Sequence, residues 1–373
     1  MKKIVGIIAA VTMAASVFAV DLASMIQIDG DLMNYDGENF KALMAKDYDP
    51  TGDSDYVWKM SASGDKAGAE IWYWADDTDS DNITHAKDSF VRNYKVWFKP
   101  IDQLKVTIGN IYASSIANPQ FGWWAKHELA AYGFMFDVAL DGVSFTAMLA
   151  PGAGNYWLNP KNDYLFTSNA GWGDYKGKLG AFWLDSKFSI DGIGNFQVIV
   201  ASGATVGPHG YSNFQTTPLA FGVAWSNMGY MQTGFYADVM AELGYKTNNW
   251  GGSDTDKELG FQGIDSQFGG QYVANGIKLQ LTNLVQYRKM NKHASNGDFI
   301  YGFEFKGAYS FDAVSPYIQI AGYEIMNKSM TVDLGAEFSV GAATMYAALE
   351  LPITFNDSYK FNFSVPCEIT LNL

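Results

Sequence analysis

Residues 361–373, FNFSVPCEITLNL, alternate between apolar side chains and polar or small ones at every step. Side chains of a β-strand point to opposite faces in turn, so a strand here has one apolar face along its whole length. A tilted strand of roughly 9 to 11 residues crosses a bilayer. The segment is long enough to do so, and we predict that it is the closing strand of a transmembrane β-barrel.

The amino terminus has the pattern of an export signal. Lys2 and Lys3 precede a short apolar stretch, and Val17-Phe18-Ala19 forms a cleavage site with small residues at its first and third positions. A true membrane anchor is the poorer interpretation, because the apolar stretch is short. We therefore predict a signal peptide over 1–19 and a single outer-membrane barrel domain over 20–373.

The chain is strongly acidic, with a formal net charge of −14. This argues against nucleic acid as a partner, because contacts to phosphate use Lys and Arg, and it favours cations. Cys367 is the only cysteine, so no intrachain disulfide can form. After the signal, no stretch approaches the run of about eighteen apolar residues that a membrane helix needs. Apolar residues distributed in alternation favour a barrel instead.

Alternating segments recur along the chain, and the connectors between them alternate in length. Tight connectors are predicted at Gly64, Pro100, Asp141, Asp191, Asn227, Asn275, Ala313 and Ala342. Long polar connectors separate them, for example 36–54, 76–87, 151–173 and 246–257. Short turns at one end and longer loops at the other are typical of bacterial outer-membrane barrels. The sequence therefore predicts an all-β fold, a transmembrane antiparallel β-barrel of about eighteen strands, with sixteen as the alternative.

The chain resembles the outer-membrane porins of diderm bacteria. The resemblance lies in the export signal, the alternating segment 361–373, and the strand, turn and strand that run from Tyr94 through Pro100 to Gly109. It implies a location in the bacterial outer membrane, contact with membrane lipid, passive passage of ions and small hydrophilic solutes, and a homotrimer. Separately from the resemblance, the sequence contains no phosphate-binding glycine loop and no pair of zinc-binding cysteines, so we expect no cofactor or metal. Leu373 departs from the pattern, since these proteins usually end in an aromatic residue.

In general-diffusion porins the loop after the fifth strand folds into the barrel and narrows the pore. The corresponding loop here is 113–128, and its segment NPQFG is similar to the Pro-acidic-Phe-Gly-Gly turn of such loops. Gln120 stands where an acid is usual, and Trp123 replaces the second glycine. An ordinary outer loop with aromatic residues at the lipid interface is the alternative. The resemblance implies a constriction that contains Asn118, Pro119, Gln120, Phe121, Gly122, Lys126 and Glu128.

Alternation also assigns charged residues to the lumen, because a charge that faces lipid at mid-bilayer costs roughly 2–4 kcal/mol. The acidic pore-lining candidates are Asp29, Asp31, Glu70, Asp333, Glu337, Glu350 and Glu368, with Asp137, Asp238, Glu242 and Glu304 on the same face. The basic candidates are Lys95, Lys105, Lys176 and Lys178, with Lys59, Lys278, Arg288 and Lys306 on the same face. Arg92 is the exception, and we predict that it lies at the membrane interface.

Closure of the barrel brings most of the acidic candidates into one arc, because the last strand pairs with the first. Lys95, Lys105, Lys176 and Lys178 come from strands towards the other side. We hypothesise a transverse field across the lumen, with an acidic wall facing a basic wall, which would select between ions. The alternative is that these charges only solvate a wide channel.

The segments 47–55 and 76–81 are rich in aspartate and partly match a calcium-binding loop. In the first, Trp58 stands where the closing glutamate belongs, so a solvated surface loop is the competing interpretation. No Gly-x-Ser-x-Gly turn of a hydrolase accompanies any of the four histidines. They are His85, His127, His209 and His293. The sequence therefore favours a protein that is not an enzyme.

We accordingly expect a passive channel with a preference for cations. One alternative is a surface barrel that acts in adhesion or structural linkage, and it would not conduct ions. Another is a transporter of hydrophobic compounds. Such a transporter usually has an amino-terminal plug, for which a first strand at Ile26 leaves no room.

Overall fold

The computed structural model describes residues 21–45, 56–75, 90–117, 126–150, 181–202, 205–207, 219–229, 232–245, 259–288, 298–322, 329–355 and 361–373. These ranges contain twenty β-strands, and none of their residues forms a helix that is long and apolar enough to cross a membrane. The first ten strands are β1 (Asp21–Tyr35), β2 (Phe40–Ala45), β3 (Tyr56–Ser63), β4 (Ala67–Ala75), β5 (Phe90–Ile101), β6 (Leu104–Ser114), β7 (Lys126–Leu140), β8 (Val143–Ala150), β9 (Ala181–Ile190) and β10 (Gly194–Ser202). The others are β11 (Thr205–Gly207), β12 (Leu219–Ser226), β13 (Gly234–Tyr245), β14 (Leu259–Ala274), β15 (Ile277–Arg288), β16 (Asp298–Tyr309), β17 (Val314–Gly322), β18 (Ser329–Val340), β19 (Ala343–Thr354) and β20 (Phe363–Asn372).

The strands form one closed antiparallel barrel. Closure is made by β1 and β20, which pair from Met25 opposite Asn372 to Tyr35 opposite Phe363. β2 and β3 lie one after the other along β1 and act as a single strand of the wall. β11 follows β10 in the chain, pairs with the start of β7 and is counted together with β10. The twenty described strands thus make a wall of eighteen, which confirms the prediction of eighteen over sixteen.

Most connections at one end of the barrel are tight, as predicted, and the one predicted at Asn227 is the exception. Asn275–Gly276 is a two-residue turn with φ of 50° and 80°, and positive φ at both positions is the geometry of a type I′ hairpin. The connection that starts at Asn227 is longer and runs to residue 233. In two neighbouring turns, Lys66 donates a hydrogen bond to the Asp102 carboxylate and holds the pKa of that carboxyl below its usual value.

Large apolar side chains cover the outside of the barrel. In β12, Phe221 and Val223 are 45% and 58% exposed, whereas Ala220 and Ala224 on either side of them are buried. The same alternation runs through most of the described strands. Apolar surface of this extent is unfavourable in water, and it is favourable against lipid hydrocarbon. The exterior is therefore the lipid-facing surface, and the polar face points into the lumen.

The closing strand is shorter than its sequence pattern. β20 begins at Phe363, and Phe361 lies before it. Pro366 has no N–H to donate, and the register of β1 with β20 shifts opposite it, between Asp31 and Met33. The ladder nevertheless resumes on both sides of the proline, so the predicted strand is confirmed with an irregularity at its centre.

The segment 259–273 alternates poorly in sequence because β14 contains a bulge. Its register with β13 shifts around Gln262, and an extra residue in one strand reverses the alternation beyond it. Phe261 and Ile264, three residues apart, are consequently both exposed on the outside. From Ile264 onwards β14 follows the regular pattern of the wall.

Candidate functional site

The hairpin of β6 and β7 leaves the barrel wall at Gly109. Pairing between β5 and β6 extends from the turn up to Lys95 opposite Gly109. Gly109 has a φ of 118°, and a Cβ at this position would lie 2.2 Å from the backbone oxygen of Tyr94. Both the backbone conformation and the close approach require glycine. Gly109 therefore acts as the bend at which β6 separates from its neighbour.

β5 is irregular at the same height. Trp72 and Tyr73 of β4 lie opposite Asn93 and Val91, so Arg92 is an extra residue in a bulge. Bulges bend a strand and end regular pairing. The side chain of Arg92 falls outside the described residues, so its location at the membrane interface stays a prediction.

Beyond Gly109 the ends of β6 and β7 pack against the inner side of the wall. Ile111, Ala113 and Leu129 are buried in one apolar cluster with residues of β8, β9, β10, β12 and β13. Those partners are Met148, Trp183, Ile199, Ala201, Ala220 and Met240. Full burial of a large aliphatic side chain contributes about 1.5–3 kcal/mol, so the cluster holds the hairpin firmly. This side of the lumen is filled by side chains.

A glutamine side chain of the wall binds the backbone of the same segment. Gln197 on β10 accepts a hydrogen bond from the N–H of Ile116 (2.8 Å) and donates one to the oxygen of Ser114 (3.1 Å). The side chain of Gln197 is itself buried. Ala117, the next residue along, is buried beside Tyr236 of β13. The segment that follows β6 is therefore fixed to the inner wall.

Asp238 on β13 holds the start of β7. Its Oδ2 lies 2.9 Å from Nδ1 of His127, and both side chains are fully buried. Gln267 donates its Nε2 to the same oxygen (2.9 Å) and its backbone N–H to Oδ1 (3.3 Å). Hydrogen bonds to a carboxylate are roughly twice as strong as those between neutral groups. Sequence alternation placed Asp238 in the lumen but did not indicate His127 as its partner.

Both described ends of the loop 113–128 thus lie inside the lumen. The predicted constriction residues Asn118, Pro119, Gln120, Phe121 and Gly122 fall outside the described residues, as does the side chain of Lys126. Glu128 accepts a hydrogen bond of 2.6 Å from the Tyr112 hydroxyl. The composition of the constriction itself stays a prediction.

The other arc of the inner wall, from β17 through β20 and β1 to β5, stays open to solvent. The side chains of Glu337 and Lys95 are 53% and 38% exposed there. His127 and Asp238, on the filled side, have no exposure. Because water reaches one arc and not the other, the open space of the lumen lies off centre, against the open arc.

The predicted acidic and basic sets meet on the open arc. Glu70 on β4 forms ion pairs with Lys59 (3.0 Å) and Lys95 (2.9 Å), and it accepts a hydrogen bond from Trp72 Nε1 (2.7 Å). Glu70 is therefore compensated by two lysines. Lys105 lies over the Trp97 ring, 5.2 Å from its centroid.

The remaining acidic candidates lie between β16 and β1. Asp333 is opposite Glu350 on the adjacent strand, and Glu337 is paired with Lys306 at 2.7 Å. Glu368 accepts hydrogen bonds from Gln27 and Thr370. The backbone of Asp29 lies opposite Glu368, and the Asp31 carboxylate accepts a hydrogen bond from Asn34. The side chain of Asp29 and the whole of Lys176 and Lys178 fall outside the described residues.

Two aromatic rings of the lumen lie flat on glycines of the neighbouring strand. A Cβ at Gly68 would lie 2.4 Å from the Trp97 ring, and one at Gly335 would lie 2.5 Å from the Tyr317 ring. Each pair is directly opposite in register. The alternation shows that these rings face the lumen, but only the register across strands shows which glycine each ring covers.

Among the described residues, no group of three or more acidic, histidine or cysteine side chains is arranged to hold a metal ion. The aspartate-rich segments 47–55 and 76–81 lie outside those residues, so the calcium interpretation stays a prediction. The same applies to the signal peptide at 1–19. Within the described part of the chain, the functional features are the charged open arc and the inward hairpin.

Solved structures share this architecture along nearly the whole chain. The outer membrane protein OpdK from Pseudomonas aeruginosa aligns with a TM-score of 0.53 at 9% identity, over 95% of this chain and 98% of that one. OccAB4 from Acinetobacter baumannii aligns with a TM-score of 0.52 at 7% identity, over 95% and 98% of the two chains. OccAB3 from the same organism aligns with a TM-score of 0.51 at 8% identity, over 95% of this chain and 99% of that one.

No protein-family model and no curated protein matches the chain in sequence. At such low identity the structural likeness establishes the fold. The predicted outer-membrane porin fold is confirmed. A barrel of this fold with a lipid-facing exterior is located in the bacterial outer membrane.

Proposed function

We propose that this protein is a passive channel for ions and small polar solutes across the outer membrane. The observation that carries the proposal is the divided lumen, in which one side is packed with side chains and the other keeps charged groups in contact with water. A solute that enters the open side meets groups that replace part of its hydration shell. The inward hairpin limits the width of that path.

We further propose that the channel prefers cations. Carboxylates outnumber lysines between β16 and β1, and Glu70 on β4 is already compensated by Lys59 and Lys95. Rings of acidic side chains favour cations in a pore. The residues proposed to set this preference are Asp29, Asp31, Asp333, Glu337, Glu350 and Glu368.

Charge reversal on the open arc is expected to weaken the preference for cations. In the double variant Glu337→Lys/Glu350→Lys, two carboxylates along the path become ammonium groups. The reversal potential in a potassium chloride gradient should then move towards the value of an anion-preferring pore. Recordings of the purified protein in planar bilayers measure this directly.

The matched control reverses two charges outside the lumen. Asp141→Lys/Asp191→Lys changes the net charge equally, at exposed positions in the tight turns. Its reversal potential should stay close to that of the unaltered protein. Equal shifts in both double variants would show that net charge, and not the open arc, sets the selectivity.

The same recordings separate the channel from its alternatives. A barrel that serves adhesion or structural linkage would give no conductance, and a transporter restricted to hydrophobic compounds would give none for small ions. Assembly as a homotrimer is a separate proposal, derived from the porin resemblance. Chemical cross-linking in membranes, followed by denaturing gel electrophoresis, should give a band of three subunits.

A further inference from the structure

A lysine ammonium lies on an aromatic ring of the open arc, close to the tight turns. Lys306 Nζ is 4.2 Å from the centroid of the Tyr317 ring and 2.7 Å from Glu337 Oε1. The three residues belong to the adjacent strands β16, β17 and β18. Each lies three residues from the end of its strand at the tight-turn side. They therefore meet near one mouth of the lumen.

The orientation of the ring leaves one of its faces to the lumen. Tyr317 is opposite Gly335 in register, and a Cβ at Gly335 would lie 2.5 Å from Cζ of the ring. The ring thus covers the glycine with one face, and the ammonium of Lys306 lies over the other. Attraction between a cation and the face of an aromatic ring is strongest where water is partly excluded. The Lys306 side chain is 19% exposed.

The charge around the ring favours a cation. Asp333 and Glu350 lie opposite each other on β18 and β19. Asp333 is two residues from Gly335 along β18, and Glu350 is two residues from the residue opposite Gly335 on β19. Both positions are on the same lumen face as Gly335. Among the described residues, the base that acts on this cluster besides Lys306 is Lys278 on β15. Glu304 on β16 is a further acidic neighbour of Asp333, so four carboxylates accompany two lysines. Because the Glu337 side chain is 53% exposed, a solute in the lumen can reach it.

We propose that Tyr317 and Glu337 form a binding subsite for organic ammonium solutes, and that Lys306 is its built-in occupant. The inference rests on the proposed channel function and names a class of solute for it. A solute ammonium displaces Lys306, contacts the ring face and the carboxylate, and leaves when Lys306 returns. Since the tethered ammonium competes at high effective concentration, solutes are held weakly, as conduction requires.

Removal of the occupant should expose the subsite. In Lys306→Met the methionine keeps an unbranched stem but carries no charge. Tetramethylammonium should then block the potassium current in planar bilayers at about a tenfold lower concentration than in the unaltered protein. The matched control is Lys105→Met, which removes one lumen charge from the Trp97 ring, while Lys99 remains 5.9 Å from the centroid of that ring and keeps it occupied. It should leave the half-blocking concentration unchanged.

A second substitution tests the ring. Lys306→Met/Tyr317→Leu should return the half-blocking concentration to that of the unaltered protein. Gly335→Ala in the Lys306→Met background should act in the same direction, because the added methyl displaces the ring from the wall. If the double variant blocks as readily as Lys306→Met, or if Lys105→Met is sensitised equally, the gain reflects lost positive charge and the subsite is refuted.

Failure of the subsite and failure of the channel give different results. Normal potassium conductance without sensitised block would overturn only the subsite. Absence of conductance in the unaltered protein would overturn the channel instead. In that case, calorimetric titration of detergent-solubilised Lys306→Met with tetramethylammonium decides the subsite, since binding that depends on Tyr317 supports it and no binding overturns it.

Discussion

Alanine at Gly109 is expected to lower the thermal stability of the detergent-solubilised barrel and to raise its single-channel conductance. Alanine would have to hold a φ of 118°, and a strained backbone of this kind costs on the order of 1–3 kcal/mol. Its Cβ would also lie 2.2 Å from the Tyr94 oxygen. Because that contact is with backbone, β6 has to shift, and the ends of β6 and β7 move off the inner wall.

Gly142 provides the control for Gly109. It has a φ of 75° in a tight turn, and a Cβ there would meet no atom within 4 Å. Gly142→Ala should therefore show the backbone cost alone, about 1–2 kcal/mol, with unchanged conductance. Thermal melts followed by circular dichroism and bilayer recordings compare the two variants. Wild-type conductance and melting temperature in Gly109→Ala would exclude the bend as the cause of the inward fold.

Loss of the Asp238 carboxylate is expected to widen the channel. Asp238→Ala removes the acceptor for two hydrogen bonds from Gln267 and for the contact with His127. Each buried donor left without its acceptor costs about 1–3 kcal/mol. The start of β7 then loses its polar attachment to β13, although the apolar cluster remains. We expect a larger and noisier unitary conductance in bilayer recordings.

Asp185→Ala is the matched control for this change. Asp185 is a buried carboxylate on the lumen face of β9, 5% exposed, and it accepts a hydrogen bond from Trp183 (2.7 Å). It has the same charge as Asp238 but makes no hydrogen bond to the inward hairpin within the described residues. Its loss should destabilise the barrel without a comparable rise in conductance. An equal rise in both variants would assign the effect to lost lumen charge.

The overall architecture could be predicted because its signal is local. Alternation of apolar and polar residues along a strand indicates the lipid-facing and lumen-facing sides, and tight turns such as Asn275–Gly276 mark one end of the barrel. Eighteen strands and the pairing of the last with the first followed from these signals. The alternation is interrupted where a single extra residue enters a strand, as at Arg92 and Gln262.

The candidate site could be predicted only in part. Alternation predicted which charged residues share the lumen face, but it could not show that Lys59 and Lys95 both bind Glu70 or that Tyr317 lies on Gly335. Those contacts depend on the register between strands, and register is set by turn geometry and bulges along the whole hairpin. The buried pair of His127 and Asp238 joins residues far apart in the sequence.

The amino-acid sequence by itself determines a closed barrel with an apolar exterior. The free energy of moving a side chain from water to lipid depends on that residue alone, and side chains of a strand change face at every residue. The course of β6 and β7 into the lumen, and with it the off-centre position of the open space, depends on a separation of strands at Gly109. That separation is stable because the hairpin packs into the apolar cluster and binds Gln197 and Asp238, all on strands distant in the sequence. These are contacts across the lumen, and they exist only once the wall has closed.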